Sequence, residues 1–479
     1  MCMPGFGKDK TPRDTSRRGL LASLSKGFAN LFFSILLAWS VSGCAPLQGL
    51  WARPSPTGTP APSPKPSSTQ PVQPSPMRTV SPVPTRETSS PVATITAGQS
   101  VTLTIWLPPE MVPDLAPTPE VGAFIASAHA GFQAAQRGTR LLVAPKALYG
   151  PGGMLDLLLA TQPVAPWRLP DITLVAASEL PALIERGLAT PLNDLIPSTV
   201  WDDLFPFALE AVSADGGLYG VPFQVDIPLL VYHEQALAEP PQRWEQLLAG
   251  TAKIVFPAAQ GEDGAAADLF MVQYLARGGK VTTSPLALDT VIVARVLRDY
   301  RTAFERGILV PEARESQTWE NSWAFYLAGN AEMTLAGSWQ YLRDRAILTD
   351  SRCSAVPTVS TGRFTLARSL VWVILAQDPA QRRLAAEYVT MMMDVERLGE
   401  WSAVSDHLPA RRSSYPMAFE PGLGALLEEQ LVRASPYPLS PMYLKARSEI
   451  ARAIEDVLDG ITTPERAASS LVMTISRLR

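Results

Sequence analysis

Residues 45–98 hold thirteen prolines set among Ser, Thr and Gln, with few large apolar side chains. Proline fixes φ and removes a backbone donor, so a run this dense cannot continue a helix or a central strand. It also buries too little apolar surface to offset the entropy of ordering. The segment therefore reads as a disordered, partly polyproline-II tether, with a reach of at most roughly 170 Å at about 3.1 Å per residue. Any folded body is confined to residues 99–479.

The stretch ahead of the tether explains why one is there. Lys8, Lys10, Arg13, Arg17, Arg18 and Lys26 stand against Asp9 and Asp14, and Phe28 to Val41 is apolar but too short to span a bilayer. Ser42-Gly43-Cys44 then supplies the small residues and cysteine of a lipoprotein cleavage site. The expected division is a signal peptide over 1–43, a lipidated Cys44 with its tether over 44–98, and the folded body beyond. Ser16-Arg17-Arg18-Gly19-Leu20-Leu21 fits a twin-arginine signal or an ordinary basic leader equally well.

Loss of residues 1–43 removes six basic and two acidic residues, so the net charge of −4 becomes −8. A mildly acidic mature chain argues against nucleic-acid and anionic-membrane surfaces. Of three cysteines, Cys2 leaves with the leader, Cys44 takes lipid and Cys353 stands alone, so no disulfide forms within the mature chain. About 380 residues can bury a large core, and two lobes are expected.

Val101 to Trp106 alternates as a strand, and Leu141–Ala144 and Ile172–Val175 are short apolar strands. Helical stretches around 119–136 and 152–161 separate them, which is the pattern of an α/β sheet with parallel strands. Leu288, Ile292, Val296, Tyr300 and Phe304 form an i,i+4 row ending at Gly307, in the place of a C′ glycine. Asp378-Pro379, Ser440-Pro441 and Thr463-Pro464 each open a helix, the last running to the C-terminus.

Several passages resemble a known family in order and spacing. They are Pro170-Asp171-Ile172, the run from Leu183 to Leu192, and Asp215-Gly216-Gly217-Leu218-Tyr219-Gly220-Val221-Pro222-Phe223. Leu230-Val231-Tyr232-His233, Trp244 to Leu247, Phe325 to Gly329 and Gly337-Ser338-Trp339 follow, then Leu408 to Arg411 and Asp459 to Glu465. Across most of the body the chain resembles the extracellular solute-binding proteins of ABC importers, in the sugar-binding group that includes maltose-binding protein. The resemblance implies a type II periplasmic-binding-protein fold: two α/β lobes joined by a hinge, with a ligand cleft between them. Mapped here, lobe one takes about 99–225 and 376–420, and lobe two about 230–372 and 435–479.

Sugars present apolar C–H faces and rings of hydroxyls, so their sites combine flat aromatics with carboxylates, amides and arginines. On the resemblance, Trp339 stacks on the ligand and Asp226, at the first crossing, contacts it; a core tryptophan and a hinge salt bridge are the competing fates. Trp106 ends the first strand at the expected mouth. Phe223, Tyr232 and Tyr443 are candidate wall residues. Arg368-Ser369-Leu370-Val371-Trp372 replaces a Gly-rich strand of many relatives, and Arg368 there suits an anionic or hydroxylated ligand or a surface position. Ala176-Ala177-Ser178-Glu179 lacks an aromatic that some sugar binders carry.

The sequence shows no Gly-x-Ser-x-Gly elbow, His-Glu-x-x-His motif or P-loop, and His129, His233 and His407 lack metal-ligand spacing. Gly150-Pro151-Gly152-Gly153 reads as a loop before a helix. No catalysis, cofactor or metal is expected. The expected partners are a small solute such as a sugar, ABC permease subunits, and the membrane through Cys44, with a monomeric body. A sensing role beside a membrane receptor and an exported carbohydrate-active enzyme are the alternatives.

Overall fold

The computed structural model describes residues 100–261, 263–283, 286–359, 364–438 and 441–478. The expected leader, Cys44 and tether lie outside them. Val101–Leu107 and Thr139–Pro145 pair in parallel from Val101↔Thr139 to Leu107↔Pro145. Ile172–Ala176 joins on the other side, also parallel, and is buried throughout. Helices cover both faces of this sheet, so its central strands read as apolar runs without alternation. The edge strand Thr139–Pro145 keeps an irregular alternation of exposed and half-buried residues.

Three antiparallel strands complete the main run of the sheet: Thr365–Ile374, Val221–Asp226 and Leu408–Pro409. Ala434–Pro436 adds a short parallel pairing at Thr365–Ala367. Phe223, Trp372, Trp401 and Tyr388 fill the core on one face, and Met154, Leu158, Leu180 and Leu183 that on the other. The second lobe is a four-stranded sheet, ordered Ser351–Ala355, Pro228–His233, Met333–Gly337 and Ile254–Val255. Its core includes residues of the helices Ala265–Ala276, Thr290–Glu305, Pro441–Leu458 and Pro464–Ile475.

The expected boundary of the second lobe at residue 372 needs correction. From Arg368 onward Thr365–Ile374 belongs to the first sheet, because it pairs there with Ile172–Ala176 and Val221–Asp226. The return crossing falls at its start, where consecutive residues mark the spot: Leu366 is in the second-lobe core and Ala367 in the first. The chain thus crosses at Ile227, at Leu366 and Ala367, and between Pro436 and Pro441.

The helix punctuation behaves as its chemistry requires. Asp289 accepts from Val291 N and Ile292 N to open Thr290–Glu305, and Gly307 follows its end at φ +68°. Asp378 and Thr463 cap their helices in the same way. The last helix ends at Ile475, short of the C-terminus. Among the described residues, every buried member of the three core clusters lies at Leu103 or beyond, so a chain starting at residue 91 keeps all of that described core. Cys353 is a free thiol beside the core, and burial pushes its pKa up to about 12.

Candidate functional site

Strand direction places the site. The parallel strands of the first sheet run towards the crossings, since Ala176 pairs with Leu370 near the start of Thr365–Ile374 while Ile172 pairs with Ile374. Their carboxyl ends open on the cleft between lobes, the usual ligand position in an α/β sheet.

Asp226 ends its strand at the first crossing, opposite Arg368 in register. Its carboxylate accepts from Ser338 Oγ at 3.1 Å and bonds His407 Nδ1 at 2.9 Å. Ser338 also holds the crossing itself: its N–H donates to Ile227 O at 2.8 Å and its Oγ accepts from Ile227 N at 3.2 Å. Burial lowers the His407 pKa, but the Asp226 carboxylate outweighs it and the net shift is upward, with Asp406 and Glu110 adding to the rise. The hinge carboxylate is therefore wired to both lobes.

A second cluster lies where Arg368 meets the amino end of the Ala265–Ala276 helix. Asp268 in its first turn has a side chain only 1% exposed and forms ion pairs with Arg368 and Arg447. Tyr443 OH donates to Asp268 Oδ1 at 3.3 Å, and Arg368 lies 5.2 Å from the Tyr437 ring centroid. Both guanidinium groups also reach the carbonyl of Asp263. Gly264, at φ +66°, makes room for this, since a Cβ there would fall 2.1 Å from Arg447 Cζ and Nε.

Tyr149 and Glu179 complete the first-lobe wall. Tyr149 precedes the Gly150-Pro151-Gly152-Gly153 turn, which is the expected loop before the helix Met154–Thr161. The residue is 62% exposed, and burial, opposed by Arg368 and joined by Glu179 and Asp226, raises its pKa to about 12. Glu179 follows the strand Ile172–Ala176 and accepts from Ala176 N at 3.2 Å. Burial carries its pKa to about 7 against that bond, with Asp156 adding to the rise.

The sequence candidates separate accordingly. Asp226 and Arg368 come together at the crossings. Trp339, half-buried, opens the helix Ser338–Asp344, with the Arg343 guanidinium 4.9 Å from its ring centroid. Phe223 is a correction: fully buried, it packs 5.2 Å from Trp372 and 5.7 Å from Trp401, centroid to centroid. Tyr232 is another, paired with Met333 and Arg352 about 13 Å along the strand from Pro228 and packed in the second-lobe core. Tyr443 is buried and holds Asp268 rather than lining the cleft. Trp106 is 8% exposed, covered by core and by Lys146 at 5.2 Å.

Tyr149, Glu179, His407 and Arg447 were missed. His407 immediately precedes Leu408 to Arg411, a passage already singled out, and that adjacency was the available signal. The three histidines occupy separate surroundings: His129 bonds Tyr388, His233 stacks on Tyr326 beside Asp350, and His407 meets Asp226. Among described cavities, one of about 750 Å³ lies away from these residues, between Leu195 and the helix Pro379–Met392. A smaller one of about 460 Å³ adjoins Arg447, with Gln260, Gln317 and Ser448 in its wall.

Comparison with known proteins agrees with this geometry. The profile of the family described as bacterial extracellular solute-binding protein matches residues 156–421. A cyclic α-maltosyl-1,6-maltose binding protein from Arthrobacter globiformis shares the fold at TM-score 0.65 and 18% identity, over 78% of this chain and 98% of that one. An unliganded maltodextrin-binding protein from L. casei gives 0.64 at 16%, over 79% and 99%. A maltotriose-binding protein of Pyrococcus abyssi is 27% identical over 78 residues, 16% of this chain. The chain spans only 17% of that curated relative's length in the match. The family profile covers more than half of the sequence, and the chain belongs to the bacterial extracellular solute-binding protein family, a family of binding proteins rather than enzymes.

Proposed function

We propose that this protein is a lipid-anchored receptor that captures a carbohydrate of the maltodextrin kind and delivers it to an ABC permease. One observation carries the reading: hydrogen-bonding groups from both lobes converge on the crossings, with Tyr149, Glu179, Asp226 and Arg368 on one side and Arg447 on the other. Such a set suits a polyhydroxyl ligand, and lobes that close on it desolvate the hydrogen bonds. The names of the structural relatives, which bind maltose-derived sugars, support that ligand class. Trp339 supplies the apolar stacking face. Export through residues 1–43, lipid on Cys44 and the tether over 44–98 hold the receptor at the membrane, where tethering raises its effective concentration around the permease.

The test is a thermal-shift screen over maltose, maltotriose, longer maltodextrins and tagatose on the unlipidated chain from residue 91, followed by calorimetry. A maltodextrin is expected to raise Tm, and Tyr149→Ala, Asp226→Ala and Trp339→Ala each to weaken binding at least about tenfold, or about 1.4 kcal/mol. A screen in which no sugar shifts Tm overturns the ligand class. Unchanged affinity in all three variants overturns the site.

A further inference from the structure

The end of the first lobe opposite the cleft carries an unusual combination of residues. Trp167, in the turn Pro166–Arg168, is 76% exposed, and Val164 beside it is 71% exposed. Neither joins a core cluster. Most large exposed apolar residues on a soluble domain are scattered singly and need no explanation. This pair differs through what surrounds it.

The neighbourhood follows from the sheet. Asp171 N donates to Thr104 O at 2.8 Å, so the segment 162–170 leads into the end of the sheet at which Val101 begins. Val101 N donates to Gly138 O, which brings the exposed Arg137 and Arg140 to that end. Gln162 Nε2 donates to Arg186 O, which adds the exposed Arg186, and Arg168 adjoins Trp167. Glu185, Asp215 and Asp378 are acidic side chains at the same end, Asp215 in the hairpin turn ahead of Val221, and Asp378 is engaged in capping its helix. Asp171 is taken up by Thr104 N and Gln381. None of Arg137, Arg140, Arg168 and Arg186 enters a salt bridge among the described residues. The net charge of −8 beyond residue 43 averages over this local excess of guanidinium.

We infer that this pole is a docking surface for an anionic phospholipid bilayer, with Trp167 and Val164 entering the headgroup region and the four arginines meeting lipid phosphates. Tryptophan favours the membrane–water interface, and arginine pairs with phosphate through a fork of donors. The point where the chain enters the fold argues for a lipid rather than a protein occupant. Residue 100 leads into Val101 at this same pole, so the chain enters the folded body here. Any membrane the chain is fastened to meets this end at the highest local concentration. The cleft opens at the other ends of the same strands. A receptor resting on this pole therefore holds its mouth away from the bilayer, a collecting posture distinct from engagement with a permease. The surface belongs to the folded body, while the choice of a lipid occupant rests on the membrane anchoring of the proposed function.

The experiment is co-sedimentation of the unlipidated chain from residue 91 with phosphatidylcholine vesicles and with vesicles containing roughly a third phosphatidylglycerol, at low and high salt. The chain is expected to sediment with the anionic vesicles, several-fold more than with the neutral ones, and to be released by salt. Trp167→Ala and the double variant Arg137→Gln/Arg140→Gln are each expected to cut that binding at least threefold, with Tm and sugar affinity unchanged. Equal sedimentation with neutral and anionic vesicles overturns the inference. So does undiminished binding in Trp167→Ala together with the arginine variant, which would locate the contact elsewhere. Sugar affinity, measured on the same samples, reports separately on the cleft.

Discussion

Single residues set the electrostatics of this site, and Glu179 has the clearest consequence. Its folded pKa lies near 7, raised by burial. The unfolded carboxyl releases its proton near the ordinary glutamate value, so between the two the folded state binds more protons and stability falls as pH rises through that window. Glu179→Gln removes this loss. The variant is expected to match wild type near pH 4.5 and to exceed its Tm by about 2 °C or more at pH 8. A difference between the two that does not change with pH would show that burial of the charge is not the cause. Residue identity was only partly legible in advance. Asp226 and Arg368 announced themselves by position, whereas Tyr149 is a lone aromatic in a Gly/Pro turn with no periodic neighbours to give it meaning. Phe223 misled for the opposite reason: its strand is buried on both faces, so nothing in the local pattern says whether a ring points to a cleft or to Trp401.

Elements were easier to read than their partners. The helix openings at Asp378 and Thr463 and the stop at Gly307 follow from local chemistry, and the three parallel strands from apolar runs. The strand Thr365–Ile374 was visible as a strand, but its sheet was not, because pairing with Ile172–Ala176 joins residues about two hundred positions apart. Another element-scale feature is the join between the strand Met333–Gly337 and the helix Ser338–Asp344. Gly337 has ordinary extended geometry, with φ −69° and ψ 148°, so its need for glycine is spatial. A Cβ there would sit 2.8 Å from both Cδ1 and Nε1 of Trp339. Gly337→Ala is expected to turn the indole, change its fluorescence and weaken sugar binding about tenfold while lowering Tm by only a few degrees. Calorimetry showing wild-type affinity alongside a displaced indole would remove Trp339 from the ligand contacts.

At the scale of the whole molecule, the lobes are joined by three crossings and by the ion pairs that Asp268 makes with Arg368 of the first sheet and Arg447 of the second lobe. Removing one partner of a fully buried pair costs roughly 3–5 kcal/mol; with the Arg368 side chain 41% exposed, Asp268→Asn is expected to cost about 2 kcal/mol. The same change frees the lobes from one another. Small-angle scattering should show a larger radius of gyration for the ligand-free variant, and sugar should still reduce it. Identical radii with and without Asp268 would mean that the pair does not restrain opening. The two-lobed plan was legible from sequence because order and spacing of short passages survive where identity does not; the boundary at Leu366 and Ala367 was not, since it depends on which core each side chain enters. Cys353 gives this architecture a practical use. From residue 91 onward it is the chain's single cysteine, and its thiol, pushed up to about 12, stays protonated and unreactive at neutral pH. Maleimide dyes would therefore attach selectively to cysteines introduced on the two rims, turning the receptor into an optical gauge of its own cargo.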